Sequence, residues 1–259
     1  MIEDLSKVRA VVTGAGQGIG AAIARGLAEA GARVVVADLN EDNARTVAAE
    51  IGERAHYAQV DVRDRESVKA AIGVAVHAFG GLDAMFNNAG IAQVRPFLSI
   101  TEDDFHTVID VNAMGVMIGT REAINHMLAQ DTGGSIVNTA SVARKQGYEP
   151  LGHYCASKFA VIALTQTAAR AFGKDKIRVN AICPGVVGTN MWKTIDQGFR
   201  DNKLSTGVDE AFERFAAGAV LGRASKPDDM VGVACFLASS GSAFMTGQSL
   251  MSDGGMVFV

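Results

Sequence analysis

The sequence predicts an α/β protein built as a doubly wound parallel sheet of about seven strands, with helices on both faces. Short apolar runs rich in valine alternate with helix-length segments along the 259 residues, and such alternation is typical of successive βαβ units. A glycine-rich turn joins the first run to an alanine-rich segment. No linker, low-complexity tract or internal repeat interrupts the pattern, so we expect residues 1–259 to form one domain.

Seven runs have the length and composition of buried strands. They span residues 8–13, 33–38, 55–61, 84–87, 134–140, 177–182 and 249–253. Right-handed crossovers between parallel strands place helices on both faces and ligands at the carboxyl ends of the strands. Residues 188–221 depart from the pattern, because this stretch is long, polar and poor in motifs, and it contains Trp192 and Phe199.

The turn after the first predicted strand has the composition of a phosphate-binding loop. Its spacing fits T-G-x-x-x-G-x-G, and the helical stretch 21–30 follows it directly. Glycines let the backbone approach a pyrophosphate, which then sits at the helix N-terminus. The alternative is a turn that only permits tight packing. The residues assigned to this cofactor site are Thr13, Gly14, Gln17, Gly18, Ile19 and Gly20.

Asp38 ends the second predicted strand, close to the separation of roughly 20 residues at which dinucleotide sites place the ribose partner. Its carboxylate can accept hydrogen bonds from the 2′-hydroxyl of NAD and would repel the 2′-phosphate of NADP. Gln17 and Leu39 carry no cation for a phosphate, whereas Arg33 and Arg45 are near in sequence. We therefore predict NAD as the cofactor, with Asp38 and Leu39 in its site; the alternative is an aspartate that caps a helix or turn.

Tyr154 and Lys158 are four residues apart, so they share one face of a helix, and Ser141 lies upstream. A free tyrosine has a pKa of about 10 and is a poor proton carrier at neutral pH. A nearby ammonium favours the phenolate, and lowering the pKa by roughly 3 units requires about 4 kcal/mol. This arrangement predicts a general acid or base that acts on an alcohol or carbonyl oxygen.

In combination these motifs resemble the short-chain dehydrogenase/reductase family of Rossmann-like enzymes, and the resemblance covers nearly the whole chain. It implies that Tyr154 moves a proton, that Lys158 lowers its pKa and holds the nicotinamide ribose, and that Ser141 binds the substrate oxygen. It also implies that Asn112 supports a water in the proton relay. The further cofactor contacts that it implies are Asp61, Val62, Asn88, Ala89, Gly90, Tyr154, Lys158, Pro184, Gly185, Val187 and Thr189.

Within this family the chain is most similar to acetoin reductases (meso-2,3-butanediol dehydrogenases) and neighbouring polyol dehydrogenases. The likeness lies in segments such as 157–161 and 164–170. Acetoin reductases resemble one another in a glutamine just after the catalytic serine and a small amide further on, where this chain has Val142 and Tyr148. The likeness implies oxidation and reduction of small diols, hydroxyketones or polyols, in a more apolar pocket. The implied substrate contacts are Ser141, Val142, Tyr148, Tyr154 and Trp192.

The resemblance also implies a substrate lid and a homotetramer. The lid corresponds to residues 188–221, for which the alternative is an ordinary surface excursion. The stretches 105–129 and 151–172 are predicted helices with wide apolar faces that one sheet face cannot fully cover. In the family the matching helices pair across a two-fold axis, and the apolar tail, here residues 256–259, packs on another.

The composition argues against several other classes of protein. The formal net charge is −4 and the isoelectric point is near 5.7, whereas a nucleic-acid-binding protein needs a basic stripe. We expect no signal peptide and no membrane span, because no apolar segment is placed or sized for either. The three cysteines are scattered, as in a reducing cytosol, and no metal-binding pattern occurs. We therefore expect a cytoplasmic protein with a small-molecule substrate and no metal.

Two other functions are alternatives on the sequence alone. A 3-oxoacyl-carrier reductase catalyses the same type of reaction but usually uses NADPH and a basic surface for docking its carrier. Asp38 argues against NADPH, and the acidic composition argues against a basic surface. An NAD-binding sensor or scaffold would share the fold. Such a protein has no physical need of the set formed by Ser141, Tyr154 and Lys158.

Overall fold

One parallel sheet organises the computed structural model, which describes residues 4–258. The strands in this range are β1 (Arg9–Thr13), β2 (Arg33–Asp38), β3 (Ala55–Gln59), β4 (Ala84–Asn87), β5 (Gly134–Thr139), β6 (Ile177–Pro184) and β7 (Ser249–Ser252). Their order across the sheet is β3-β2-β1-β4-β5-β6-β7. The order reverses between β1 and β4, where a doubly wound sheet opens a ligand cleft. The predicted doubly wound parallel sheet is thus confirmed.

Helices cover both faces of the sheet. In chain order they are α1 (Gly18–Glu29), α2 (Glu41–Ile51), α3 (Arg65–Phe79), α4 (Glu102–Ile109), α5 (Gly115–Gln130), α6 (Gly152–Phe172), α7 (Asn190–Asp201), α8 (Glu210–Ala216) and α9 (Val231–Ala238). The predicted helix over 105–129 is interrupted, because α4 passes through a π-helical turn, Asp110–Met114, into α5. Within residues 4–258, no helix has both the length and the apolar character needed to cross a membrane.

The predicted strand boundaries agree with the structure to within two residues. β3 stops at Gln59, so Asp61 lies beyond the strand. β6 continues to Pro184, because its last residues pair with β7, with Cys183 opposite Met251.

The core forms one layer on each face of the sheet. On one face, Val34 and Val36 of β2 pack with Ile23 and Leu27 of α1. On the other face, Val35 belongs to the layer beneath α3 and α5. Burial on both faces explains the continuous valine run in β2, since each buried aliphatic side chain stabilises the fold by roughly 1.5–3 kcal/mol.

Candidate active site

One cleft of about 650 Å³ opens at the carboxyl ends of the strands. Most of the residues that the sequence assigned to a cofactor or substrate form its wall. Three assigned residues, Thr13, Gly20 and Asn112, are buried behind it. The assigned residues on the wall are Gly14, Gln17, Gly18, Ile19, Asp38, Leu39, Asp61, Val62, Asn88, Ala89, Gly90, Ser141, Val142, Tyr148, Tyr154, Lys158, Pro184, Gly185, Val187, Thr189 and Trp192.

The glycine-rich turn between β1 and α1 forms one end of the cleft. Gly14 has a φ of +62°, and a Cβ there would lie 2.7 Å from the Cα of Ala89, so only glycine fits. Helix α1 starts with no side-chain cap and no acidic residue in its first turn. Its first N–H groups and the positive end of its dipole therefore face the cleft at Gly18 and Ile19. This cradle fits the pyrophosphate of a dinucleotide.

Thr13 and Gly20 shape this turn from behind. The Thr13 Oγ1 accepts hydrogen bonds from the backbone N–H of Asn88 at 3.0 Å and of Ala89 at 3.2 Å, which fixes the end of β4 against β1. A Cβ on Gly20 would lie 2.2 Å from the carbonyl oxygen of Gly14. Thr13 therefore supports the turn through hydrogen bonds and Gly20 through close packing, and neither residue lies on the cleft surface.

Asp38 lies beside the turn with both carboxylate oxygens engaged by the backbone. Its Oδ2 accepts a hydrogen bond from the N–H of Gly16 at 2.8 Å, and its Oδ1 accepts one from the N–H of Asn40 at 2.9 Å. Leu39 follows it as an exposed side chain on the cleft wall. The carboxylate is thus held in place and fits a ribose hydroxyl as a hydrogen-bond partner.

The cations that are near Asp38 in sequence engage other groups. Arg33 begins β2, at the opposite end of the strand from Asp38, and lies over the Phe79 ring, with its guanidinium carbon 5.9 Å from the centroid. Arg45 pairs with Asp42, and Arg63, on the cleft wall, pairs with Asp61 at 2.6 Å. Arg45 and Arg63 are thus each paired with a carboxylate other than Asp38.

Ser141, Tyr154 and Lys158 meet on the wall of the same cleft. Lys158 Nζ lies 5.6 Å from the centroid of the Tyr154 ring and donates a hydrogen bond to the carbonyl oxygen of Thr139 at 2.8 Å. Ser141 follows β5, and its Oγ accepts a hydrogen bond from the N–H of Ala143 at 3.1 Å. The predicted catalytic set is thus brought together by α6 and the end of β5.

Burial dominates the protonation of this set. It raises the pKa of Tyr154 to about 12, and a hydrogen bond with Ser141 opposes the increase. It also lowers the pKa of Lys158 to about 8. Burial therefore sets the net direction of the Tyr154 pKa in the protein on its own, because the phenolate loses hydration. The lowering of this pKa by Lys158 remains a prediction. At neutral pH the chain holds a protonated phenol, which suits donation of a proton to a carbonyl oxygen.

Asn112 lies in the π-helical turn, and its side chain is held by protein groups. Its Oδ1 accepts a hydrogen bond from the N–H of Ile91 at 2.8 Å. Its Nδ2 donates to the carbonyl oxygen of Ile91 at 2.9 Å and to Ser157 Oγ at 3.0 Å. Asn112 therefore ties the segment after β4 to α6 beside Lys158; its support of a water remains a prediction.

The far end of the cleft is largely apolar, and we call it the substrate end. Its lining residues are, after β5, Val142, Ala143, Tyr148 and Leu151, and, on α7 and α8, Met191, Trp192, Ile195 and Phe215. Sequence analysis singled out Val142, Tyr148 and Trp192 but missed Phe215. The sequence indicated a role for Phe215 only through its position within residues 188–221, the predicted substrate lid.

A buried carboxylate holds α8 against α7. Asp196 of α7 accepts hydrogen bonds from the N–H of Asp209 at 2.9 Å and of Ala211 at 3.0 Å, and it pairs with Arg200. Burial alone would raise the pKa of Asp196, but these hydrogen bonds hold it below its ordinary value. Trp192 lies one helical turn before Asp196, on the same face of α7. The predicted lid is thus a two-helix unit with a fixed internal geometry.

Comparisons with known proteins agree with this arrangement. A family model described as enoyl-(acyl carrier protein) reductase matches residues 14–257. An (S)-acetoin-forming diacetyl reductase of Staphylococcus epidermidis is 38% identical, over 96% of this chain and 98% of that protein. The L-2,3-butanediol dehydrogenase of Corynebacterium glutamicum is 40% identical, over 98% of this chain and 100% of that protein.

A solved structure shows the same fold over the whole chain. The 3-ketoacyl-(acyl-carrier-protein) reductase from Brucella melitensis, complexed with NADH, matches with a TM-score of 0.88 at 31% identity and covers 100% of both chains. Both curated relatives and the family model span nearly all of the residues that form the cleft. The chain therefore belongs to the short-chain dehydrogenase/reductase family.

Proposed function

We propose that the protein is an oxidoreductase that transfers a hydride between NAD(H) and a secondary alcohol or its ketone. The observation that carries the proposal is the meeting of Ser141, Tyr154 and Lys158 in the same cleft as a glycine turn flanked by Asp38. The hydroxyl, phenol and ammonium groups suit proton transfer at a substrate oxygen. A sensor or scaffold would have no use for all three groups.

Each residue has a separate task in the proposed reaction. The cofactor, when bound, supplies or accepts the hydride. Tyr154 donates its proton to the substrate oxygen during reduction and is left as the phenolate; during oxidation the phenolate accepts the proton of the substrate hydroxyl. Ser141 orients that oxygen through a hydrogen bond. Lys158, anchored on Thr139, holds the nicotinamide ribose. Asn112 holds the segment after β4 against α6 through its hydrogen bonds to Ile91 and Ser157.

We assign NAD rather than NADP as the cofactor. The fixed carboxylate of Asp38 supports this choice, since it favours a 2′-hydroxyl and repels a 2′-phosphate. The partners of Arg45 and Arg63 also support it, because both guanidinium groups are neutralised by carboxylates. The Brucella relative of the same fold was solved with NADH.

The proposed substrate is a small diol, hydroxyketone or polyol that resembles acetoin or 2,3-butanediol. The diacetyl reductase and the L-2,3-butanediol dehydrogenase among the relatives support this class. The second candidate is a 3-oxoacyl-carrier reductase, which the similarity to the Brucella structure favours. Asp38 and the net charge of −4 weigh against it.

We further propose that the chain assembles as a homotetramer. Leu128 on α5 and Phe159 on α6 are 42% and 44% exposed, on the helices predicted to pair. Phe258 in the apolar tail is 80% exposed, which supports burial of the tail between subunits. Val259, the last residue of that predicted contact, lies outside the described residues. Light scattering that gives a monomer at micromolar concentration would contradict this assembly.

Residues 188–221, which contain α7 and α8, act in this proposal as the lid over the substrate. Closure should make them resistant to protease when NADH and a substrate analogue are both bound.

We also propose a cytoplasmic location. The three buried free thiols, Cys155, Cys183 and Cys235, support it, because thiols stay reduced in the cytosol.

A spectrophotometric screen tests the proposed function. NADH and NADPH are each offered with acetoin, diacetyl, bulkier ketones and a 3-oxoacyl thioester, and NAD with vicinal diols and sugar alcohols. We expect turnover with NAD(H) and a small alcohol or ketone. Preference for the thioester with NADPH would favour the second candidate, and NADH binding without turnover of any compound would favour a sensor.

A further inference from the structure

We propose that the substrate end selects a carbinol or ketone whose second substituent is flat and apolar, such as an aryl or unsaturated ring, and that Phe215 makes this selection. The inference rests on the proposed hydride transfer between NAD(H) and a secondary alcohol or ketone, and it departs from the diol or polyol class that the curated relatives suggest. It assigns a specificity role to a residue of α8 that no motif of the sequence points to.

Phe215 joins the two walls of the substrate end. Its ring centroid lies 5.6 Å from that of Trp192, with the planes tilted by 52°, and 6.4 Å from that of Tyr148, with the planes at 70°. All three side chains line the cleft. Tilted and edge-to-face contacts at such distances are the favoured geometries of aromatic groups. A flat ligand group placed among these rings can make the same contacts with each of them.

The Phe215 ring is held from behind. The buried Phe199 ring lies 5.8 Å away, and the Arg214 guanidinium carbon lies 5.6 Å from the Phe215 centroid and 5.3 Å from that of Phe199. Asp196 also fixes the start of α8 through the N–H groups of the residues that open it. The Phe215 and Trp192 rings are therefore fixed relative to each other within the lid before a ligand arrives, so little ordering entropy opposes their contacts with it.

The substrate end has few polar partners for a polyhydroxylated chain. Beyond Ser141 and Tyr154, which the reacting oxygen occupies, the eight residues that define this end offer two polar side-chain groups, the Tyr148 phenol and the Trp192 indole N–H. Two neighbouring residues of α7, Asn190 and Thr194, also line the cleft, and the Asn190 amide donates to Gln17. The Thr194 hydroxyl donates to the carbonyl oxygen of Asn190 in its own helix at 3.2 Å. A sugar alcohol would leave several hydroxyls without partners, which weakens binding.

Paired substrates and a matched pair of variants test the inference. With NAD, kcat/KM is measured for 1-phenylethanol, 2,3-butanediol and galactitol. We expect 1-phenylethanol to exceed 2,3-butanediol by about tenfold and galactitol by more. Phe215→Leu, which keeps an apolar side chain but removes the ring, should lower the ratio of 1-phenylethanol to 2,3-butanediol by at least about fivefold.

The control is Phe212→Leu on the same helix. The Phe212 ring also contacts Trp192, with centroids 5.8 Å apart, but Phe212 lies outside the described cleft wall. This variant should leave the substrate ratio unchanged, and NADH binding and the melting temperature of both variants verify the fold. Preference of the wild type for 2,3-butanediol or galactitol, or equal shifts in the two variants, overturns the inference while the proposed function stands. Absence of turnover with every alcohol and ketone, despite NADH binding, overturns both.

Discussion

Asn190, the first residue of α7, donates a hydrogen bond from its side-chain Nδ2 to the side-chain Oε1 of Gln17 in the glycine turn, at 2.7 Å. The preceding residue, Thr189, lies on the same junction: a Cβ on Gly18 would come within 3.4 Å of its Cγ2. The proposed lid therefore touches the cofactor turn directly. This contact offers a route by which occupancy of one end of the cleft influences the other.

Asn190→Ala should weaken NADH binding by about two- to tenfold, since one hydrogen bond of this kind contributes roughly 0.5–1.5 kcal/mol. Trp192 is the single tryptophan of the chain, so energy transfer from its fluorescence to NADH reports binding. Gln197→Ala, which removes a bond to Asp201 further along α7, serves as control. Gln17→Ala should weaken NADH binding less when Asn190→Ala is already present than when it is made alone; a fully additive effect would contradict the coupling.

Asp38→Ala combined with Leu39→Arg should shift cofactor preference toward NADP by about 10- to 100-fold, the range of one charge-assisted hydrogen bond. The change removes the repulsive carboxylate and supplies a guanidinium on the cleft wall. Because Asp38 also accepts from the N–H of Gly16, Asp38→Asn with Leu39→Arg is the control that keeps an acceptor there. The measurement is the ratio of kcat/KM with NADPH to kcat/KM with NADH in each variant. A wild-type enzyme that prefers NADPH would contradict the assignment of Asp38 to the ribose.

Lys158→Met should stabilise the fold at pH 7 while abolishing activity. Burial lowers the pKa of Lys158 from 10.5 to about 8. The buried charge of Lys158 therefore destabilises the folded state fully below pH 8 and no longer does so above pH 10.5. At its full size this destabilisation approaches roughly 3 kcal/mol. Loss of the hydrogen bond to Thr139 offsets part of this, so we expect a net gain of about 1–2 kcal/mol.

Urea unfolding at pH 7 and near pH 10 measures this effect. The gain should shrink at the higher pH, because wild-type Lys158 is then largely neutral in the folded state. Lys174→Met, at an exposed lysine after α6, should change the free energy of unfolding little at either pH. A gain that grows with pH would contradict the assigned direction of the pKa shift.

Val142→Gln should raise kcat/KM for acetoin or 2,3-butanediol relative to a simple secondary alcohol such as 2-butanol. Val142 lines the substrate end next to Ser141, and a glutamine amide there can bond a second substrate oxygen. The gain corresponds to roughly 1–3 kcal/mol. Val142→Leu, which adds bulk without an amide, is the control. An unchanged ratio in Val142→Gln would mean that this position does not face the substrate.

The strands and the residues at their ends were predictable because they depend on local patterns. The valine run that ends in Asp38 and the glycine turn at Gly14 can each be recognised from a short segment of the sequence. The spacing of Tyr154 and Lys158 within one helix is equally local. The doubly wound topology then gathers these sites at one edge of the sheet.

The lid geometry and the protonation states were beyond the reach of such patterns. Phe215 reaches the cleft because Asp196 binds the N–H of Asp209, thirteen residues away, where the chain adopts a left-handed φ of +61°. No rule of residue spacing predicts the hydrogen bond between Asp196 and the N–H of Asp209. The pKa of Tyr154 depends on the balance between its burial and the distance to Lys158, which a helical period alone does not give.

The replacement of Tyr154 by phenylalanine tests the central claim most directly. Tyr154→Phe should lower kcat for the preferred substrate by at least about 100-fold, as loss of a general acid requires, while energy transfer from Trp192 shows NADH binding close to wild type. Tyr57→Phe, at an exposed tyrosine of β3, should leave both unchanged. If Tyr154→Phe retained about a tenth of the wild-type kcat, a barrier change of only ~1.4 kcal/mol, Tyr154 would not be the proton carrier.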